Sequence, residues 1–250
     1  MGSTWVLSVT VNEVIAPGAV AQDTAGRTVA AVVGILAVAN VMSNRVLPAA
    51  LYVPWNFGVA VLLIVLARRA VSAPELGLGE WRRGFLVGMV LVVATTGLLL
   101  LGLAMPSINK LFEDRRVDSG IPTLIYQALI RIPLGTVVLE EIAFRAVLPA
   151  LVAKRFGILR GSIAASVLFG LWHVLPALNI NKVNPVARDV FGSGVGGKAI
   201  AVVFAVVGTM VAGLWLCLIR YRARSVLASM MGHLATNSIG FTIAWFVTRT

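Results

Sequence analysis

Three apolar stretches of this chain carry groups that water chemistry needs. Glu140-Glu141-Ile142-Ala143-Phe144-Arg145 comes first, Phe169-Gly170-Leu171-Trp172-His173 second, and His233 with Asn237 third; His173 and His233 are the only histidines. Carboxylates and imidazoles can take a proton from water, and amide and imidazole donors can hold the negative charge that then develops on an oxygen. On a helix Glu141 and Arg145 are i and i+4 neighbours and can pair. Glu140 is rotated by about 100° from that pair and is left to act as a base. His173 stands one turn from Phe169, and His233 one turn from Asn237, so that an imidazole and an amide share a helix face. Each set also has a plainer explanation as a structural ion pair, a hydrogen-bonded core histidine or a bridge between helices. Their joint occurrence on three hydrophobic segments favours chemistry, because ionisable groups in such segments are costly and mark functional cavities.

The elements that position these groups are membrane helices. With 59% apolar and 12% charged residues in 250, and a positive mean hydropathy, the chain has too little polar surface for a soluble globule. The expected fold is all-α, a polytopic transmembrane helix bundle of about seven spans, with six to eight compatible. The segments run roughly over Thr28 to Met42, Val46 to Ala67, Gly84 to Met105, Pro133 to Leu151, Gly161 to Leu178, Ala199 to Ile219 and Ser225 to Val247, near the ~20 residues a span requires. Residues 1–27 read as an N-terminal tail with a break at Pro17-Gly18, without the marks of a secretory signal or of myristoylation, and residues 28–250 as the transmembrane domain. Ile121 to Ile132 reads as an interfacial or half-buried helix ahead of a fourth span that starts at Pro133. Gly84 and Gly88 suit close helix packing. The lone cysteine, Cys217, cannot form a disulfide within the chain.

The net charge of +11 reflects orientation rather than nucleic-acid binding, since no basic stripe with interleaved aromatics occurs. Arg68, Arg69, Arg82 and Arg83, then Lys154, Arg155 and Arg160, then Arg220, Arg222 and Arg224 mark alternate connections. These are expected to be cytoplasmic, with the N-terminus inside and Trp81 and Tyr221 as interfacial anchors. At about 1.5 Å per residue, Glu140 is roughly 14 Å from Arg131 at the outer end and His233 roughly 14 Å from Arg224 at the inner end. Tilt or stagger is therefore needed to bring them level. The stretch from Asn179 to Lys198, with four glycines, reads as a flexible outer loop able to gate entry.

Glu-Glu-x-x-x-Arg, Phe-x-x-x-His and His-x-x-x-Asn, in this order on successive hydrophobic segments, resemble the CPBP family. These are CAAX-processing and bacteriocin-processing intramembrane proteases (Abi family), related to type II prenyl-protein endopeptidases. The likeness is strongest over Leu139 to Asn237, and Leu76-Gly77-Leu78 ahead of Trp81-Arg82-Arg83-Gly84 is similar to the approach to an early span of that family. The resemblance implies an intramembrane endopeptidase in which Glu140, helped by His173, activates a water that attacks a peptide carbonyl. His233 and Asn237 would stabilise the oxyanion, and Glu141 and Arg145 would support the first helix. It also implies either no required cofactor or a divalent metal such as zinc on Glu140, His173 and His233. The lack of a His-Glu-x-x-His pattern and the presence of Asn237 favour the metal-free form. The implied partners are membrane lipid and a peptide or lipidated-protein substrate, in the plasma membrane of a prokaryote, with the oligomeric state open. The competing reading is a non-catalytic membrane protein, a proton-coupled carrier or a partner-binding scaffold, although no internal repeat supports a carrier.

Overall fold

A backbone without water around it must satisfy its own hydrogen bonds, and long apolar runs do so as helices. The computed structural model describes residues 17–106, 108–113, 117 and 120–249, with side chains from residue 24 onward. Among these residues there are seven long helical stretches and no strand. Helix α1 is Pro17–Val41, prolonged by a wide turn over Met42–Val46. α2 is Tyr52–Ala67 and α3 is Trp81–Ala104. α4 covers 121–156 without interruption, passing from Ile121–Tyr126 through Gln127–Val137, Val138–Glu141 and Ile142–Val147 into Leu148 and beyond. Gly157, at φ 81 and ψ 165, reverses the chain into α5, 158–172; only glycine reaches that backbone region without strain. α6 is Val195–Ala223, and α7 covers 226–247.

Among the described residues four helices are long and apolar enough by length and composition to cross a membrane: Thr24–Val46, Ala49–Ala67, Trp81–Ala104 and Val195–Ala223. α4, α5 and α7 are different in kind. α4 carries Arg131, Glu140, Glu141, Arg145, Lys154 and Arg155, and from Val137 to Leu151 nearly every one of its side chains is buried. A helix enclosed on all sides needs neighbours all round. Leu36 from α1, Leu63 from α2 and Phe169 and Trp172 from α5 share one core with Leu139, Phe144 and Leu151 of α4. Conversely Val90, Val93, Leu98 and Leu101 on α3 and Val203, Phe204 and Val211 on α6 face outward, the surface that acyl chains would cover. The chain is an integral membrane protein.

Small residues let these helices approach. A side chain at Gly84 would overlap Ser225, and one at Gly88 would overlap Met231, so α3 lies directly against α7 as the Gly84 and Gly88 spacing predicts. Gly135 of α4 admits Tyr52 of α2, and Gly213 of α6 admits Phe169 and Ser166 of α5. Polar contacts add direction. Ser43 Oγ donates to Asn56 Oδ1 at 2.7 Å, and Asn56 Nδ2 donates to Gly135 O at 2.8 Å, joining α1, α2 and α4. Asn40 Nδ2 donates to Trp172 O at 3.0 Å.

The three basic connections meet at one end of the bundle. Val226 N–H donates to Gly77 O at 2.9 Å, Arg220 reaches Glu75 O, and Lys154 pairs with Glu75. Glu75 also accepts from Ser72 N–H at 2.7 Å and Ser72 Oγ–H at 2.8 Å.

Three expectations change. Residues 1–16 lie outside the described residues, but Pro17 opens α1 rather than breaking the tail, because proline at a first helical position forfeits only an N–H that has no partner there. Pro133 does not begin a span; it lies inside one continuous helix, in the wide stretch Gln127–Val137, where the looser pitch accommodates a missing N–H. The stretch from 179 to 198 is not an open loop but carries short helices, Ile180–Val183 and Pro185–Phe191. Asn184 caps the second through Ala187 N–H and donates to Glu113 O.

Gly84→Ala is expected to cost about 1–3 kcal/mol by overpacking against Ser225, measured as a lower melting temperature in detergent; Gly97→Ala, whose added Cβ meets nothing within 4 Å, serves as the control and should not lower it. Lys154 and Ser72 pull the Glu75 carboxyl from its usual 4.5 down to about 2. A depressed carboxyl stabilises the fold above the unfolded value and loses that contribution as pH falls through the folded one. The melting-temperature gap between wild type and Glu75→Gln should therefore be widest above pH 4.5 and close toward pH 2; a gap independent of pH would contradict this.

Candidate active site

Glu141 is fully buried on α4, and so is Arg145 one turn later. Arg145 Nε lies 3.3 Å from Glu141 Oε1, the pairing that their spacing predicts. The guanidinium spreads over the Phe169 ring of α5, 3.9 Å from its centre, and its nitrogens find no hydrogen-bond acceptor of good geometry. Charge attraction and the aromatic face hold it instead. Glu141 Oε1 also accepts from His233 Nδ1–H at 2.8 Å, a link from α4 to α7 that overcomes the expected difference in depth.

That bond fixes the imidazole. With the proton on Nδ1, Nε2 carries the lone pair, and Asn237 Nδ2–H donates to it at 3.2 Å. Glu140 Oε2 approaches the same Nε2 at 3.6 Å, while Glu140 Oε1 accepts from Trp172 Nε1–H at 3.0 Å. Glu140 is 5% exposed, and its Oε2 has no hydrogen-bond partner. Each carboxylate keeps an Oε2 without a hydrogen bond, but Glu141 is engaged in an ion pair, and only the free oxygen of Glu140 lies beside Nε2 of the imidazole. The helices around them are not regular. Glu140 and Glu141 sit on the short α turn Val138–Glu141 between two wide-turn stretches, and Ala235–Ile239 beside His233 is a third. Such i→i+5 turns occur mostly at functional sites, where they redirect side chains.

His173 ends α5. Its Nδ1–H donates to Phe169 O at 2.8 Å, and its ring meets Phe169 edge-on, with centroids 4.6 Å apart. Its Nε2 keeps its lone pair. Among the described residues no hydrogen bond joins His173 to Glu140; what His173 shares with His233 and Asn237 is a cavity of about 250 Å³ that Thr95 of α3 and Thr209 of α6 also line. Asn237 borders a second cavity as well, of about 440 Å³, with Gln127, Arg131 and Thr236.

The donor set does not fit a zinc centre. No group of three His, Cys, Asp or Glu side chains among the described residues is arranged to hold a metal ion. An indole N–H occupies one oxygen of Glu140, and an amide N–H faces the only lone pair of His233.

Two partners escape a reading by motif alone. Trp172 holds Glu140, and Phe169, expected beside His173, also carries Arg145. The usable signal for Trp172 was its indole N–H, which needs an acceptor once buried.

Arg145→Ala should strand the Glu141 carboxylate and cost about 3–5 kcal/mol, read as loss of folded protein from membranes. Glu140→Gln keeps an acceptor for Trp172 and should accumulate and melt like wild type. Equal losses in both would remove the division of labour between the two acids.

Residues 122–239 match the family model described as type II CAAX prenyl endopeptidase Rce1-like, just under half of the chain, and that segment contains every group of the site. No curated protein and no solved structure matches the chain. The ordered acids, histidines and asparagine lie within the matched segment, and over that segment the chain is similar to the type II CAAX prenyl endopeptidases, a protease family.

Proposed function

We propose that this protein is an intramembrane endopeptidase whose base is Glu140, and that its substrate is a peptide or lipidated protein delivered from the bilayer. The observation that carries the reading is the approach of Glu140 Oε2 to within 3.6 Å of His233 Nε2, with Asn237 on the same nitrogen at 3.2 Å. A carboxylate oxygen without a hydrogen-bond partner and two groups suited to an oxyanion thus converge on one small volume.

In the proposed reaction Glu140 Oε2 takes a proton from a water, whose oxygen bonds to the scissile carbonyl carbon as the C=O electron pair moves onto the carbonyl oxygen. Asn237 Nδ2–H turns from His233 to that oxyanion. Glu140 passes the proton taken from water to His233 Nε2, 3.6 Å away, which joins as a donor while its positive ring faces Glu141 and hands the proton back to Glu140 before the C–N bond breaks. His173 Nε2 accepts the second hydrogen of the water and orients its lone pair. The C–N bond then breaks as the oxyanion re-forms the carbonyl, and protonated Glu140 gives its proton to the leaving nitrogen, which returns the carboxylate. Glu141 and Arg145 position α4 and fix the tautomer of His233. No step requires a metal.

In the same reading α4, α5 and α7 cross the bilayer along with the other four helices, in the plasma membrane of a prokaryote. The N-terminus is cytoplasmic, in keeping with the gathering of the basic connections at one end.

The test is cleavage of fluorogenic peptides bearing a lipidated cysteine by the purified protein in liposomes. Glu140→Gln should lower kcat/KM by about 10²–10⁴-fold. Asn237→Ala should lower kcat by about 10²–10³-fold with little change in KM. A chelator should leave turnover unchanged. Full activity in Glu140→Gln, or abolition by chelator, would overturn the mechanism.

A further inference from the structure

At the end of the bundle where the basic connections meet, the α2–α3 loop, the end of α4, the first residue of α5 and the α6–α7 turn line a cavity of about 670 Å³ walled by Glu75, Glu80, Lys154, Arg220, Tyr221 and Arg224. It is separate from the site above, since Lys154 lies roughly 20 Å beyond Glu140 along α4 at ~1.5 Å per residue. Arg220 is 3% exposed. Its Nη2 donates to Glu75 O, but its Nε is buried without a hydrogen-bond partner. The guanidinium lies 4.2 Å from the centre of the Tyr221 ring, and the Tyr221 hydroxyl is also buried without a partner. The Tyr221 hydroxyl therefore turns inward.

A guanidinium N–H and a hydroxyl left buried and unsatisfied on two neighbouring residues that line one cavity are costly and call for an acceptor. The charges specify its kind. Lys154, Arg220 and Arg224 stand against Glu75 and Glu80, and Glu75 is engaged by Lys154; Arg224 makes no ion pair among the described residues. Glu80 and Arg224, at φ 46 and φ 56, are the only non-glycine residues with positive φ among the described residues, and both border this cavity. Arg224 closes α6 as its left-handed C-cap, with Ser225 N–H donating to Arg220 O at 3.1 Å. A phosphate supplies several acceptor oxygens with negative charge, the shape that a guanidinium fork matches best. Basic recesses between helices near the cytoplasmic surface suit anionic headgroups.

We propose that this cavity is a phosphate-binding site for the headgroup of an anionic phospholipid or for phosphate free in solution, with Arg220 Nε–H, the Tyr221 hydroxyl and Arg224 as its donors.

The test uses the full-length protein purified in detergent without phosphate. Phosphatidylglycerol, phosphatidylcholine or inorganic phosphate is added, and binding is followed by native mass spectrometry and by melting temperature. Arg220 also fastens the α2–α3 loop, so its replacement could unfold that end. The informative variants are Arg224→Gln and Tyr221→Phe, both expected to melt like wild type without ligand. Wild type should bind phosphatidylglycerol roughly tenfold or more tightly than phosphatidylcholine, and each variant should weaken it by roughly tenfold. If inorganic phosphate alone raises the melting temperature, and the variants abolish that rise, the ligand is soluble phosphate. Binding of phosphatidylglycerol that neither variant weakens, or no response to phosphatidylglycerol and phosphate alike, would overturn the proposal.

Discussion

The buried Glu141 carboxylate is the point on which the site depends. An ionised group with no exposed surface is tolerable only beside opposite charge and hydrogen-bond donors, and Glu141 has both. Arg145 lies 3.3 Å from Oε1 within α4, and His233 donates to the same oxygen from α7. Arg145 in turn lies against Phe169 of α5, so three helices are registered on one oxygen atom. Leucines alone would permit many rotations of these helices at similar energy. A shared charge permits few.

This constraint distributes roles among groups that look alike in sequence. Glu141 shares one oxygen, Oε1, between Arg145 and His233, whereas Glu140, next along the chain, is rotated toward Trp172 and brings its Oε2 to 3.6 Å from His233 Nε2. His233 is fixed as a tautomer through Nδ1, His173 through its own Nδ1 and Phe169 O. Both imidazoles therefore present an Nε2 lone pair, each oriented by an acceptor outside the cavity. The wide turns on either side of the two acids, and after His233, adjust the facing of these side chains in steps that a regular α pitch does not offer.

Sequence showed the helical architecture, the Glu141–Arg145 pair and the close approach at Gly84 and Gly88, because each follows from periodicity within a single helix. What it withheld depended on contacts between helices. The bond from His233 to Glu141 and the hold of Trp172 on Glu140 join distant segments, and no local pattern encodes them. Pro133 read as a helix start because proline usually opens helices; the wide turn that absorbs it is a tertiary accommodation. The number of spans stayed open for a related reason. The same charges that make α4 chemically interesting lower its apolar character, α5 is short and α7 is broken by a wide turn, so that four helices stand out by length and composition among the described residues.

Gly157 joins α4 to α5 through a single residue, and Gly161 leaves no room for a side chain beside Pro149 O. Glu140 and Trp172 therefore ride on one stiff hairpin. Such a hairpin cannot be pried apart to admit a chain. The cavity that holds His173 and Asn237 is bordered instead by Leu91 of α3 and by Trp215 of α6, and Trp215 is 56% exposed on the surface that faces acyl chains. If the proposed function holds, a lipid-anchored substrate would reach this side by sliding within the leaflet, a search in two dimensions whose speed is set by membrane viscosity and crowding rather than by concentration in the surrounding water.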